Sequence, residues 1–278
     1  MEDFSKIATK IRKHVIEGVY HAASGHPGGS LSIADILAVL YFEEMRVDPK
    51  CPDDPDRDRF VLSKGHCAPA LYGALAERGF FPVQDIKTLR RIDSYLQGHP
   101  DMKSVPGVDM STGSLGQGVC AANGMAYAAK LDEKDYRVYT ILGDGELEEG
   151  QVWEAAMFAA HYKLDNLCAF VDWNGLQIDG KVEEVMSPYP IDDKFKAFGW
   201  HVISIDAHDY GQIRSALAEA KKVKDKPTVV VAKSVKGKGV SFMENQAGWH
   251  GVAPKREEYE KAMAELDRKL LEEERDNV

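Results

Sequence analysis

The chain has 278 residues, 44% of them hydrophobic, which suits one large domain or two small ones. Its formal net charge of -10 argues against a nucleic-acid partner, because neutralising phosphates requires clustered lysine and arginine. The four cysteines are scattered and show no spacing typical of a zinc site or a disulfide framework. The N-terminus does not resemble a signal peptide, and no apolar run is long enough to span a membrane. We therefore predict a cytoplasmic protein with no membrane partner.

Apolar residues at helical spacing alternate with short β-branched segments along the chain. The predicted helices cover residues 4–23, 31–45, 67–78, 116–131, 151–163, 209–223 and 255–272, and the predicted strands cover 137–142, 167–172, 201–206 and 228–233. The strands are continuously apolar, as expected when both faces of a parallel sheet are buried. The sequence therefore predicts an α/β fold with a doubly wound, mainly parallel sheet flanked by helices.

Two segments, 46–59 and 94–114, are irregular, and the second is long enough to suggest a functional loop. We predict one domain over residues 1–255 and a charged C-terminal helix or tail over 256–278, for which a solvated helix is the simpler interpretation. The small-residue helix "GQGVCAANGMAYAA" indicates close packing, either within the chain or against another subunit.

The segment "GDGELEEG" (143–150) places four carboxylates at a glycine turn directly after a predicted strand. Ligands of parallel sheets bind beyond the carboxyl ends of the strands, but Asp144 would repel a bare phosphate there. Asn174 follows the next strand, and a carboxylate with an amide oxygen suits Mg²⁺ or Ca²⁺. Alone, the tripeptide is more simply a tight turn, and its spacing fits neither a Rossmann fingerprint nor a P-loop. With Asn174, it predicts a metal-bridged diphosphate.

Longer segments carry a family resemblance. The stretch from "GDG" to "DWNGLQIDG" resembles the thiamine diphosphate motif of transketolases, and "SGHPGG", "SKGH", "LQGHPD", "STGSLGQG" and "GWHG" resemble transketolase segments in the same order. The resemblance implies an enzyme that transfers a two-carbon ketol group from a ketose phosphate to an aldose phosphate, as in the pentose phosphate pathway, using thiamine diphosphate and a divalent metal. It covers about residues 5 to 255 and leaves no room for the second transketolase domain. It therefore implies the N-terminal subunit of a split transketolase, with a separate C-terminal subunit in an α₂β₂ heterotetramer.

The resemblance also implies roles for individual residues. The implied metal ligands are Asp144, Asn174 and the carbonyl of Leu176. The implied cofactor contacts are His66, Gly113, Leu115, Gly143, Asp144, Gly145, Asn174, Lys236 and His250. The implied catalytic residues are His26, His66, His99 and His250 around the substrate hydroxyls, with Glu149 and Glu154 in a buried acidic network near a subunit contact. For Glu149, a first-turn acid that favours the helix dipole is the plainer alternative.

Three other functions fit parts of the pattern. The α subunit of a thiamine-dependent 2-oxo acid dehydrogenase shares the Asp144 and Asn174 pattern but does not explain "SGHPGG", "SKGH" or "STGSLGQG". A specialised transketolase for a modified sugar is compatible, because the partner would largely decide acceptor choice. The third is a non-catalytic subunit that only binds a diphosphate. Four histidines in glycine-containing loops argue against it, because such a subunit needs only the metal and diphosphate contacts.

Overall fold

The computed structural model describes residues 3–275. Its centre is a parallel sheet of five strands in the order β1-β2-β3-β7-β6, and a short antiparallel ribbon pairs β4 with β5. The strands are β1 (Arg59–Leu62), β2 (Val138–Gly143), β3 (Leu167–Trp173), β4 (Leu176–Gln177), β5 (Gly180–Lys181), β6 (His201–Asp206) and β7 (Thr228–Lys233). This arrangement confirms the predicted α/β class.

Helices cover both faces of the sheet. They are α1 (Phe4–Ala22), α2 (Pro27–Ser32), α3 (Ala34–Val39), α4 (Ala68–Arg78), α5 (Gln117–Leu131), α6 (Gly150–His161), α7 (Val182–Val185), α8 (Ile191–Ala197), α9 (Tyr210–Ala220) and α10 (Arg256–Arg275). One layer contains α1, α3, α4 and α9, and the opposite layer contains α5, α6 and α8. Within residues 3–275, no helix combines the length and apolar character needed to cross a membrane.

The strand residues explain why the apolar runs do not alternate. In β3, Cys168 and Phe170 enter the core beneath α1 and α4, whereas Leu167, Ala169 and Val171 enter the core beneath α5 and α6. Both faces exclude water, so every position from Leu167 to Val171 is apolar. The continuous runs in the sequence therefore mark the centre of a three-layer fold.

Several short elements were not predicted, namely β1, β4, β5, α7 and α8. Strand β1 was missed because it has only four residues and follows directly on the acidic, proline-containing segment 46–59. The single helix predicted over 31–45 is divided into α2, α3 and a π-helical turn, with a non-helical backbone at Ile33 between the first two. The other predicted helices and strands occur with ends within three residues of those expected.

The charged final helix is mostly exposed but packs along α1. Ala262 and Leu266 are buried, the rings of Tyr20 and Tyr259 stack with centroids 4.0 Å apart, and an ion pair adds a further link between α1 and α10. The described helix is thus amphipathic rather than fully solvated. Residues 1–2 and 276–278 of the two predicted segments lie outside the described residues.

Candidate functional site

A cleft of about 370 Å³ lies at the carboxyl edge of the sheet, beyond the ends of β1, β2, β3 and β7. Its lining includes most of the residues singled out from the sequence: His26, His66, Gly113, Leu115, Gly143, Asp144, Gly145, Glu149, Asn174, Leu176, Lys236 and His250. These residues come from segments up to about 220 positions apart in the chain. The parallel topology brings them together, because all these strands end at the same edge.

Asp144 follows β2 and is almost fully buried at the base of the cleft. Its Oδ1 accepts a hydrogen bond from the Gly145 amide at 3.0 Å, and its Oδ2 accepts one from the Gly175 amide at 2.6 Å. Burial, together with the nearby Asp172 carboxylate, raises the pKa of Asp144 to about 6. A divalent cation beside Asp144 would favour its charged form, so the carboxylate suits a metal site.

Asn174 and Leu176 place two more oxygens on the same side of the cleft. Asn174 Oδ1 accepts from the Leu176 amide at 3.1 Å, and the Leu176 carbonyl accepts from Lys236 Nζ at 2.9 Å. Residues 3–275 contain no group of three or more His, Cys, Asp or Glu side chains placed to hold a metal. One carboxylate, one amide and one carbonyl instead form an all-oxygen set that fits Mg²⁺ when further oxygens come from a ligand.

Four histidine rings lie close together in the cleft and in the depression next to it. The ring centroids of His26 lie 5.2 Å from His66, 5.5 Å from His250 and 6.4 Å from His99. Burial is the main cause that lowers the pKa of all four, to about 4 for His26 and about 3 for His250, with neighbouring cations adding to the effect. All four rings are therefore neutral at pH 7. Among the described residues, the buried His26 Nδ1 is one of the side-chain polar atoms that have no hydrogen-bond partner.

His99 lies in an adjoining depression of about 420 Å³ that shares Gly113 with the main cleft. Gly113 has a φ of +155°, and a Cβ atom at this position would lie 2.9 Å from His99 Cδ2. A side chain at Gly113 would push His99 away from the other histidines. The glycine in "STGSLGQG" thus keeps the two depressions connected.

Lys236 enters the cleft from the loop after β7. Its side chain is buried, and its Nζ lies 2.9 Å from His250 Nδ1. Burial, with the second cation Lys64, lowers the pKa of Lys236 to about 8. A buried ammonium group without a carboxylate partner in direct contact suits a bound anion.

Glu149 and Glu154, the two glutamates predicted to belong to an acidic network near a subunit contact, are both exposed in the single chain. Glu149 lines the cleft, whereas Glu154 lies outside it on α6, beside Cys120 and Gly124 of α5. Their burial in a network at a subunit contact stays a prediction.

Glu146 is the acid of this segment that sequence reasoning missed. Its carboxylate is buried and accepts hydrogen bonds from Ser63 Oγ at 2.5 Å and from the amides of Gly116 and Gly143 at 2.8 and 3.0 Å. It therefore joins the ends of β1 and β2 to the start of α5. No sequence signal tells which of four neighbouring acids turns inward, because the short 3₁₀ turn over Gly145–Glu148 decides it.

Lys64 and Asp172 form a second unpredicted feature, and Lys64 lines the cleft. Lys64 Nζ lies 2.5 Å from Asp172 Oδ2, and both side chains are buried. Burial disfavours the charged form of both side chains. The attraction between the two opposite charges outweighs this effect, so the pKa of Lys64 is raised and the pKa of Asp172 is lowered. Asp172 also accepts from Asn174 Nδ2 at 2.9 Å and thereby orients the amide. Two features of the sequence could have indicated this pair: an acidic residue at the end of an apolar strand, and the lysine of "SKGH".

The histidine pKa values predict a stability loss in acid. Because the folded pKa values of His26 and His250 lie below the ordinary 6.5, their contribution is complete above pH 6.5 and is lost as pH falls toward 4. Allowing for partial exposure, we expect about 1 kcal/mol per histidine between pH 7 and pH 5. Urea unfolding at both pH values should show a smaller loss for His26→Gln/His250→Gln than for the wild type. The exposed His161→Gln is the control, and equal losses in all three proteins would contradict the prediction.

Comparison with known sequences places these residues in a family. Residues 4–269 match the family model described as "Transketolase, thiamine diphosphate binding domain". The 6-deoxy-6-sulfo-D-fructose transketolase subunit SqwG of Clostridium sp. is 48% identical, over 96% of this chain and 97% of its own length. An apulose-4-phosphate transketolase subunit of Phocaeicola vulgatus is 44% identical, over 96% of this chain and 95% of its own length.

Larger transketolases align with the same region. Human transketolase is 47% identical over 88% of this chain, which corresponds to 39% of the human protein. The crystal structure of transketolase from Campylobacter jejuni superposes with a TM-score of 0.90 and 35% identity, covering 96% of this chain and 43% of that one. These matches support the transketolase resemblance over the dehydrogenase alternative. The chain belongs to the transketolase family and spans its thiamine diphosphate-binding domain.

Proposed function

We propose that this chain is the diphosphate-binding subunit of a two-subunit transketolase that uses Mg²⁺-thiamine diphosphate to move a two-carbon ketol group from a ketose to an aldose. The observation that carries the proposal is the cleft that gathers an all-oxygen metal set, a buried lysine and three of the four histidines. A chain that only sensed a diphosphate would need the metal set, the lysine and the histidines that contact the diphosphate, but it would not need His26.

In this proposal, Asp144, Asn174 and the Leu176 carbonyl hold the metal. The diphosphate contacts His66, Gly145, Lys236 and His250, while Gly113 and Leu115 present backbone to the rings of the cofactor. Thiamine diphosphate, when bound, supplies the nucleophilic carbon needed to break and form the carbon–carbon bond. The protein orients the reactants and excludes water around them.

The histidines act on the sugar. A neutral imidazole donates through one nitrogen and accepts through the other, so His26, His99 and His250 can bind substrate hydroxyls and move their protons at pH 7.

A separate partner chain is the second part of the proposal. Two relatives that align over 97% and 95% of their length are themselves named subunits, whereas this chain spans about two fifths of human transketolase. We propose that a C-terminal subunit covers the cleft and that two copies of this chain meet in an α₂β₂ assembly. The exposed Met157 and Phe158 beside the small residues Cys120 and Gly124 offer the face for that contact. The four free cysteines suit a cytoplasmic location.

A ketol-transfer assay tests the proposed function. The chain is purified alone and together with a C-terminal transketolase subunit encoded beside it. Xylulose 5-phosphate, fructose 6-phosphate and 6-deoxy-6-sulfofructose serve as donors, and ribose 5-phosphate and glyceraldehyde 3-phosphate as acceptors. We expect transfer by the mixture only, and the preferred donor identifies the sugar class. Bound cofactor without transfer from any donor would favour a binding role instead.

A further inference from the structure

A buried ionic network lies behind the cleft, outside its lining. Asp35 of α3 is 3% exposed and accepts hydrogen bonds from three side chains on other elements. Arg12 of α1 approaches both carboxylate oxygens, the Tyr210 hydroxyl donates at 2.6 Å, and His208 Nδ1 lies 2.7 Å from Oδ2. The Arg12 guanidinium outweighs burial and holds the pKa of Asp35 well below its usual range. Asp35 is therefore a fixed negative charge to which His208 is attached.

The second nitrogen of His208 connects this network to the loop after β7. The backbone amide of Val235 donates to His208 Nε2 at 3.0 Å. Because an amide can only donate, Nε2 must be the unprotonated nitrogen, and Nδ1 carries the hydrogen that is donated to Asp35. The two contacts thus select one neutral tautomer of His208.

Val235 precedes Lys236, and two backbone hydrogen bonds also fix the chain at Lys236 and Gly237. The Gly237 amide donates to the Gly28 carbonyl at 2.9 Å, and the Asn245 amide donates to the Lys236 carbonyl at 2.9 Å. Together with the bond from Val235 to His208, these contacts hold the backbone on both sides of Lys236, whose side chain enters the cleft and donates from Nζ to the Leu176 carbonyl.

We propose that the Asp35–His208 pair is a positioning device for Lys236: it holds the Val235 amide and thereby sets the lysine that binds the diphosphate. The proposal rests on the proposed function for the identity of that anion, but the placement of the loop is independent of it. His208 touches neither the cleft nor its ligand and acts through the backbone of its neighbour.

The alternative role of His208 is to satisfy the buried Asp35, and two substitutions separate the roles. In His208→Asn, the shorter amide can donate to Asp35 from the place of Nδ1 but does not reach Val235. In His208→Gln, the side-chain oxygen can take the place of Nε2 and accept from Val235, while the bond to Asp35 is lost. A positioning role therefore favours Gln over Asn, whereas a purely structural role favours Asn over Gln.

The experiment measures amide hydrogen exchange of the peptide spanning residues 234–240, and in parallel the affinity for Mg²⁺-thiamine diphosphate by quenching of tryptophan fluorescence. We expect His208→Asn to exchange about 10-fold faster than the wild type and to bind the cofactor about 10-fold more weakly, while His208→Gln stays within about 3-fold in both. Tyr210→Phe, which removes one bond to Asp35 but leaves His208 in place, should match the wild type at this peptide.

Faster exchange in His208→Gln than in His208→Asn, or equal exchange in all variants, would overturn the proposal. If His208→Asn does not fold, His208→Gln alone tests the proposal. Exchange of its 234–240 peptide within about 3-fold of the wild type would support the proposal, whereas loss of protection would show that the Gln oxygen does not hold the Val235 amide and would contradict it. If the wild-type chain assembled with its C-terminal partner binds no cofactor while exchange keeps the expected order, the proposed function is refuted but the positioning role stands.

Discussion

Asp144→Ala should abolish binding of Mg²⁺-thiamine diphosphate and, with it, all ketol transfer. The substitution removes the only carboxylate of the oxygen set and also leaves the Gly175 amide without its acceptor. Loss of an outer-shell partner costs up to about 100-fold in metal affinity, so loss of a ligand should exceed 100-fold. Isothermal titration with Mg²⁺ and thiamine diphosphate checks the prediction, with circular dichroism to show that the fold is retained.

His99→Ala is the matched comparison for Asp144→Ala. His99 is exposed and does not line the cleft that contains the proposed metal ligands, so cofactor affinity should stay within about 2-fold of the wild type. Transfer by the assembled enzyme should nevertheless fall by about 100-fold or more, the range for loss of a group that moves protons in the reaction. Equal loss of cofactor binding in both variants would show that the separate roles assigned to these two residues are incorrect.

The comparison of sequence and structure shows which features local patterns can reveal. Residues at strand ends, such as Asp144 and Asn174, could be found because parallel strands bring their carboxyl ends to one edge. The continuous apolar runs correctly predicted that β2, β3 and β7 are buried on both faces. The same prediction was wrong for β6, because it lies at the edge of the sheet and most of its residues are half-buried or exposed. Strand β1 escaped detection, since four residues carry too little periodicity to distinguish a strand from a loop.

The buried polar groups in and behind the cleft could not be predicted in the same way. Glu146 and Glu149 stand three positions apart in one acidic turn, yet one is buried and the other exposed. Asp35 and His208 are separated by more than 170 positions, and each looks like an ordinary polar residue in the sequence. Their roles depend on which donors the fold brings to them, and that information lies in tertiary contacts rather than in spacing.

The Lys64–Asp172 pair gives the largest expected effect on stability. Lys64→Met leaves the Asp172 carboxylate buried without a counter-charge, and removal of one partner of a buried ion pair costs about 3–5 kcal/mol. Urea unfolding of the purified chain should show this loss. The variant should also bind cofactor more weakly, because Asp172 orients the amide of Asn174.

The double variant Lys64→Met/Asp172→Asn separates the charge effect from the loss of packing. It removes the stranded charge as well as its partner, so it should recover at least half of the stability that Lys64→Met loses, since two neutral groups avoid most of the desolvation penalty. Lys181→Met, which breaks an exposed pair with Glu184, should leave the unfolding midpoint unchanged. If Lys64→Met costs less than about 1 kcal/mol, or if the double variant is less stable than Lys64→Met, the pair does not neutralise a buried charge. The expected order would instead show that the Lys64–Asp172 ion pair stabilises the surroundings of the Asn174 amide, which is proposed to bind the metal.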